Sequence, residues 1–238
     1  MGGVGQPGGD AHRGLGDALT NAGREAEAVN VYQAALALRP DDPLTLNNLG
    51  AALTTISRLP QAIAHLQKAV RLKPDYAEAR GNLGNALVRS GNLPEGIVEL
   101  QRAVTLEPDD GWTVSHLGIA LAQAGRLTEA IQQFRRAVQI SPSAYAHNNL
   151  GAAIMKTDRL PEAIDEFQAA IRLDPDFVQA YANLAHALKL CNRSQEAIVT
   201  AEKGIEKARS TGDIALTGQL EDLRTQLQAE LRSENNVR

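Results

Sequence analysis

One dipeptide sets the terms for this chain. Leu-Gly recurs at 15–16, 49–50, 83–84, 117–118 and 150–151, and once more as Leu184-Ala185. The steps between successive second members are 34, 34, 34, 33 and 34 residues. Whole phrases return on the same beat: LNNLGAAL at 46–53 and HNNLGAAI at 147–154 are two copies of one unit, three repeats apart, with one residue deleted between Pro142 and Gly151. A period of this length means that each unit is one supersecondary element, stacked on the next to bury a continuous core.

Further positions keep the beat. A small residue follows as Ala28, Ala62, Gly96, Ala130, Ala163 and Ala197. Four residues on stands a larger apolar group, Tyr32, Leu66, Leu100, Phe134 and Phe167, until Ala201 breaks the rule. Then come Ala35, Ala69, Ala103, Ala137, Ala170 and Gly204, followed by Pro40, Pro74, Pro108, Pro142 and Pro175, with Arg209 in the sixth place. Steps of three and four are helical, so each unit holds two amphipathic helices. In the second unit the pattern predicts a first helix at 44–56 and a second at 60–72. Pro60, Pro94 and Pro161 open second helices, where a missing N–H is harmless, and Pro74 and its counterparts close them. The small residues let the two helices approach, and the larger ones are expected to fill the space between neighbouring units.

Composition agrees. Aromatic residues make up 3% of the chain beside 43% hydrophobic residues, so the apolar content is mostly Ala, Leu, Val and Ile, suited to close helix packing. The net charge of −4, with Lys and Arg scattered among Asp and Glu, implies no broad basic surface for nucleic acid or an anionic membrane. A single cysteine, Cys191, excludes an intrachain disulfide and suits a reducing compartment. No apolar run is long enough for membrane insertion. The opening MGGVGQPGGD has neither the pattern of a secretory signal nor that of a myristoylation site.

The period and markers resemble the tetratricopeptide repeat (TPR), whose pattern is W-x2-L-G-x2-Y, A-x3-F and a late Pro. In WTVSHLGIALAQAGRLTEAIQQFRRAVQISP the Leu-Gly pair, Ala130 to Phe134 and Pro142 all match. The aromatic expected after the glycine is instead aliphatic, as in Leu53, Leu87, Leu121 and Ile154. The resemblance implies an all-α, right-handed α-solenoid of six TPR helix pairs with a C-terminal capping helix. Its divisions would be a Gly-rich leader at 1–9, repeats at about 10–42, 43–76, 77–110, 111–143, 144–177 and 178–211, a cap at 212–232 and a frayed tail at 233–238. Gly14 and Gly16 predict a short first helix in unit one. In the cap, Leu216, Leu220, Leu223, Leu227 and Leu231 follow one another at helical steps.

Catalytic signatures are missing. GGVGQPG satisfies G-x-G-x-x-G literally as Gly3, Gly5 and Gly8, but no strand precedes it and Pro7 interrupts it. No pair of the five histidines has metal-ligand spacing on one helix face. Cys191 reads as a buried, inert thiol. Neither an enzyme nor a cofactor is expected.

In the tetratricopeptide family the first helices line a concave groove, and the residue before each Leu-Gly pair points into it. Here that position reads Gly14, Asn48, Asn82, His116, Asn149 and Asn183. Four asparagines at one position form a ladder able to hydrogen-bond an extended peptide backbone; the alternative is that they pack adjacent helices. The ladder is similar to that in the repeat superhelix of O-linked N-acetylglucosamine transferases, although no transferase domain accompanies it. Other groove candidates are Asn47, Thr54, Asn85, Arg89, Trp112, Gln123, Tyr145, Asn148, Lys156, His186 and Lys189. Arg89, Lys156 and Lys189 suggest peptides with some acidic character. The carboxylate clamp of chaperone-binding relatives is missing, because Gly81, His116, Tyr145 and Asn149 stand where its residues belong.

The expected function is therefore a protein-interaction scaffold that holds an extended peptide segment of a partner protein, in the cytoplasm or as the soluble part of a membrane-attached protein. The alternatives are a substrate-recruiting arm of a larger enzyme or membrane protein, and a module that self-associates as a homo-oligomer through its edge or groove.

Overall fold

The computed structural model describes residues 7–237. The literal G-x-G-x-x-G stretch and most of the expected leader lie outside them. The chain divides into two compact units, Met1–Ala124 and Gly125–Arg238. Among the described residues all regular structure is helical.

The first unit holds α1 (Pro7–Asn21), α2 (Glu25–Leu38), α3 (Pro43–Thr55), α4 (Leu59–Leu72), α5 (Ala77–Arg89), α6 (Leu93–Leu106) and α7 (Gly111–Gln123). Helices α1/α2, α3/α4 and α5/α6 pack as pairs. Each second helix also meets the next first helix, and α1, α3, α5 and α7 touch in series. The second unit holds α8 (Leu127–Ile140), α9 (Ala144–Met155), α10 (Leu160–Leu173), α11 (Val178–Leu190), α12 (Ser194–Thr211) and α13 (Ile214–Val237). There α9/α10 and α11/α12 are pairs, and α9, α11 and α13 touch in series.

Local chemistry sets the helix ends. Asp42 accepts the backbone N–H of Thr45, Asp110 those of Trp112 and Thr113, and Ser143 that of Ala146, each satisfying a donor that the helix itself leaves unpaired. The turn inside each pair carries one left-handed residue. Glycine fills it at Gly23, Gly91 and Gly125, but Ser57, Asp158 and Asn192 adopt φ values of 62°, 59° and 57° at the equivalent places. The one-residue deletion falls between α8 and α9, where the linker is Ser141–Ser143 and Ser143 takes an extended backbone at φ −149°, ψ 156°.

The packing adds to one expectation. The larger apolar residues share a core with the next repeat, as Leu66 does with Leu83 and Leu87, and they also sit on the glycine of their own pair. Tyr32 lies over Gly16, Leu66 over Gly50, Leu100 over Gly84 and Phe167 over Gly151, so close that a Cβ on Gly84 would stand 2.6 Å from Leu100 Cγ and one on Gly151 2.8 Å from Phe167 Cε1. Leu-Gly is thus a seat, and the residue sixteen further on is what it receives. Leu49, Leu53, Leu66 and Leu87 join Tyr32 in the core of the first unit.

The ends differ from expectation. Helix α1 is neither short nor frayed, and includes Pro7, Gly8 and Gly9 from the expected leader. Gly16 is one reason, because its missing side chain makes room for Tyr32. Ion pairs are another: Arg13 reaches Asp42 at 3.2 Å, and Arg39 pairs with Asp10. At the other end, α13 covers the last pair with Leu220 and Leu227 fully buried, flanked by Leu216 and Leu223. It continues to Val237, through most of the tail expected to fray.

Candidate functional site

In each unit the first helices of successive repeats lie side by side, and their shared face carries the predicted site residues. The ladder asparagines do not extend both their donors and acceptors freely from it. Asn82 on α5 donates Nδ2–H to Oδ1 of Asn47 on α3 at 2.9 Å, and Asn183 on α11 donates to Oδ1 of Asn148 on α9 at 2.8 Å. Asn48 on α3 donates to Oδ1 of Asp17 on α1 at 2.7 Å and accepts from Asn47 at 3.1 Å. Asn149 is half-buried, with its Nδ2 enclosed and unpartnered.

In the Asn82 and Asn183 links the acceptors stand one residue before the ladder position of the preceding repeat and are buried, whereas Asp17, which receives Asn48, is half-buried. Asn47 is 0% exposed and Asn148 5% exposed, so neither faces open solvent as expected, and Thr54 is buried as well, donating to the Gly50 carbonyl at 2.8 Å. A buried amide must find partners. Asn47 Nδ2 finds Glu78 Oε1 at 2.9 Å and the Tyr76 hydroxyl at 3.2 Å. Beside Asn48, the Tyr32 hydroxyl donates to Asp17 at 2.8 Å; burial, with that carboxylate adding to it, pushes the Tyr32 pKa up to about 12. Burial raises Tyr76 too, with Glu78 beside it.

The link is interrupted at the fourth repeat. Gly81 replaces the acceptor and His116 the donor, and Trp112 takes the space. A Cβ on Gly81 would stand 3.3 Å from Trp112 Cζ3. The indole stacks on His116 at 3.9 Å between centroids, and His116 Nδ1 in turn reaches the Trp112 carbonyl at 2.9 Å. Burial lowers the His116 pKa, favouring the neutral ring. Trp112 is nonetheless 44% exposed. On α5, one turn beyond Gly81, Asn85 is half-buried and its side chain forms no hydrogen bond among the described residues, and Arg89 is exposed, donating to Ser57 Oγ at 3.2 Å.

In the second unit Tyr145 is 48% exposed, and Lys156 and His186 are exposed; none of the three forms a hydrogen bond or ion pair among the described residues. Lys189 is not a free cation, because α13 brings Glu230 to 3.3 Å and Gln226 to 3.4 Å from its Nζ. Asn183, His186 and Lys189 instead form one wall of a cleft of about 430 Å³, with Gln219, Leu223 and Gln226 of α13 as the other. Cys191 is half-buried at the end of α11. Among the described residues no cluster of three His, Cys, Asp or Glu side chains could hold a metal ion, and no helix is long and apolar enough to cross a membrane.

Sequence reasoning named Trp112 and Tyr145 but missed that they belong to a row five residues before each Leu-Gly pair. It reads Asp10, Leu44, Glu78 and Trp112 in the first unit and Tyr145 and Gln179 in the second, all exposed. The signal was present as one more register position, but the residue types differ so much that no consensus marks it. A second omission lies between α4 and α6, where a cleft of about 610 Å³ opens over Val70, Leu83, Leu87 and Val98.

The family described as TPR repeat matches residues 16–56, 56–91, 118–158 and 155–190, and one described as tetratricopeptide repeat matches 178–210. No protein of curated function matches the sequence. The fold is similar to that in the APC/C hetero-tetramer Cut9–Hcn1, with a TM-score of 0.80 and 18% identity over 92% of this chain; the chain spans 42% of the length of that one. It is similar to PilF of Pseudomonas aeruginosa, with a TM-score of 0.74 and 17% identity over 94% of this chain and 97% of that one. It is also similar to YrrB, described as a TPR protein with an unusual peptide-binding site, with a TM-score of 0.61 and 21% identity over 80% of this chain and 97% of that one.

Proposed function

The chain belongs to the tetratricopeptide repeat family, whose members generally serve as protein-interaction scaffolds, and from that premise we propose that its first-helix face holds an extended segment of a partner protein and acts by binding, without catalysis. The observation that carries this is Trp112. It is the chain's single tryptophan, fixed by His116 on one side and seated over Gly81, yet 44% exposed. A rigid aromatic already held in place loses little freedom when a partner covers it, which is how a binding anchor works. Asn85 on the neighbouring α5, and Tyr145, Lys156 and His186 in the second unit, supply polar side-chain groups with no partner among the described residues. The peptide-binding site in the description of YrrB supports the same use of the fold. The single cysteine and the lack of a helix able to cross a membrane among the described residues are in keeping with a cytoplasmic setting.

The asparagine ladder enters this reading in a changed role. Through Asn48, Asn82 and Asn183 it links neighbouring first helices, so it holds the face in shape, and what remains for a ligand is the second N–H of each and the oxygen of Asn82. The test follows from that distinction. Bait protein carrying Trp112→Ala or Asn85→Ala, compared with wild type in pull-downs from source lysate, should lose bound partners while keeping the wild-type helical circular dichroism. Partners retained by both variants would move the binding surface away from the first helices of the first unit.

A further inference from the structure

Leu44, Glu78 and Trp112 stand at one repeat position on α3, α5 and α7, 34 residues apart, and all three are exposed. Two of them lean the same way: Glu78 meets Asn47 of the preceding first helix, and Trp112 lies over Gly81 of the preceding first helix. They therefore form a row across three packed helices, aliphatic, then anionic, then aromatic. The Glu78 carboxylate is held by two neutral donors, Asn47 Nδ2 at 2.9 Å and the Tyr76 hydroxyl at 3.1 Å, and no cation pairs with it among the described residues. Its charge is unspent.

The spacing selects a backbone. Packed helix axes lie about 8–10 Å apart, so a segment crossing the row must offer a side chain to it at about that interval. A β-strand brings side chains back to one face every second residue, at roughly 6.6–6.8 Å, and drifts out of step by the third helix. A polyproline-II helix returns every third residue at about 3.1 Å per residue, an interval of about 9 Å. This conformation leaves its own backbone groups free, so the face need not supply a β-ladder partner.

We propose that the segment received by the first unit is a basic, proline-rich one in polyproline-II conformation, in which a Lys or Arg faces Glu78 and apolar residues three positions to either side meet Leu44 and Trp112. The inference rests on the peptide-binding reading of this face and names the ligand class. It replaces the acidic peptide expected from Arg89, Lys156 and Lys189, since Lys189 is neutralised by Glu230 and the row itself carries a carboxylate.

The test uses the whole protein, the fluorescence of its single tryptophan, and three synthetic peptides. The first is Leu-Pro-Pro-Arg-Pro-Pro-Leu, the second replaces Arg by Glu, and the third, Leu-Thr-Arg-Thr-Leu, carries the same three anchors at two-residue spacing. The first should bind about tenfold or more tightly than either of the others, the scale expected when a like charge or a misplaced anchor meets the site. Glu78→Gln keeps the side chain's length and one acceptor oxygen, and should erase the preference for Arg over Glu without altering the far-ultraviolet circular dichroism. Equal binding of the first and third peptides, indifference to Glu78→Gln, or no fluorescence response to any peptide would each overturn the inference. The pull-down with Trp112→Ala judges the broader reading separately, because it does not depend on the sequence of the ligand.

Discussion

Asn82 hands its amide proton to Asn47, one repeat earlier, across 2.9 Å. Asn47 is sealed from solvent and spends its own nitrogen on Glu78, Tyr76 and Asn48, so the two side chains tie α3 to α5 at the centre of a polar chain. Asn82→Ala leaves the Asn47 oxygen buried without a donor. The expected loss is about 1–3 kcal/mol of unfolding free energy, read from urea denaturation. Asn85→Ala, which breaks no bond, should stay within about 0.5 kcal/mol of wild type.

Gly50→Ala should be destabilising in a way that helix propensity would not suggest. Alanine is the better helix former, yet a Cβ here would meet Leu66 Cδ2 at 2.8 Å, and Leu66 is fully buried. Overpacking of this kind costs about 1–3 kcal/mol. Leu66→Ala alone removes core volume and costs about 2–5 kcal/mol. The double variant should cost less than the sum of the two, because the truncated side chain makes room for the new methyl group. Thermal or urea unfolding of the four proteins completes the cycle.

Ser57→Gly should stabilise the chain. Ser57 holds φ 62° in the turn between α3 and α4, where Gly23, Gly91 and Gly125 occupy the same place in other repeats. A left-handed backbone costs a residue with a Cβ about 1–2 kcal/mol, and glycine's extra freedom in the unfolded chain offsets part of the relief. The expected net gain is about 0.5–1 kcal/mol, visible as a higher urea midpoint with an unchanged slope. Asn192→Gly should gain less, because asparagine tolerates this conformation better than serine.

Tyr32 predicts a loss of stability in alkali. Burial, helped by Asp17, raises its folded pKa to about 12, against about 10 in an unfolded chain. Between those values the unfolded chain has released the proton and the folded chain has not, so stability falls as pH rises. The contribution is complete below pH 10 and is lost on the way to about 12. Urea midpoints measured from pH 9 to pH 11.5 should decline for wild type and decline less steeply for Tyr32→Phe.

The sequence made some of this legible and left the rest dark for physical reasons. Repeat length, helix pairing and the cap could be read because Leu-Gly, the small residues and the prolines each answer a constraint that returns in every unit. The seat of Leu66 on Gly50 could not be read because periodicity reports which residues face a core, not which neighbour they meet. The short first helix was expected from glycine propensity, whereas Gly16 is set by the Tyr32 ring that lies on it. Asn48 and Asn82 stood out as a ladder, but only coordinates show that their donors turn inward, since a side chain's direction depends on the helix beside it. Trp112 was named by itself, but Leu44 and Glu78 escaped because variation at a register position looks like noise until the three are seen to be exposed together.

Helix α13 settles how the last pair meets its surroundings. It takes the place that another first helix would fill, and Leu220 closes over a surface that includes Val178, Ala201 and Ile205. Stacked units are cohesive by design, and a pair left bare would greet any other pair, including one from a second molecule, as its next neighbour. With α13 in place, Leu220 is buried against that pair, and Gln219, Asp222 and Gln226 are exposed along the cleft beside α11. The apolar surface that makes neighbouring pairs cohere is thereby covered, at this pair, by a helix of the same chain.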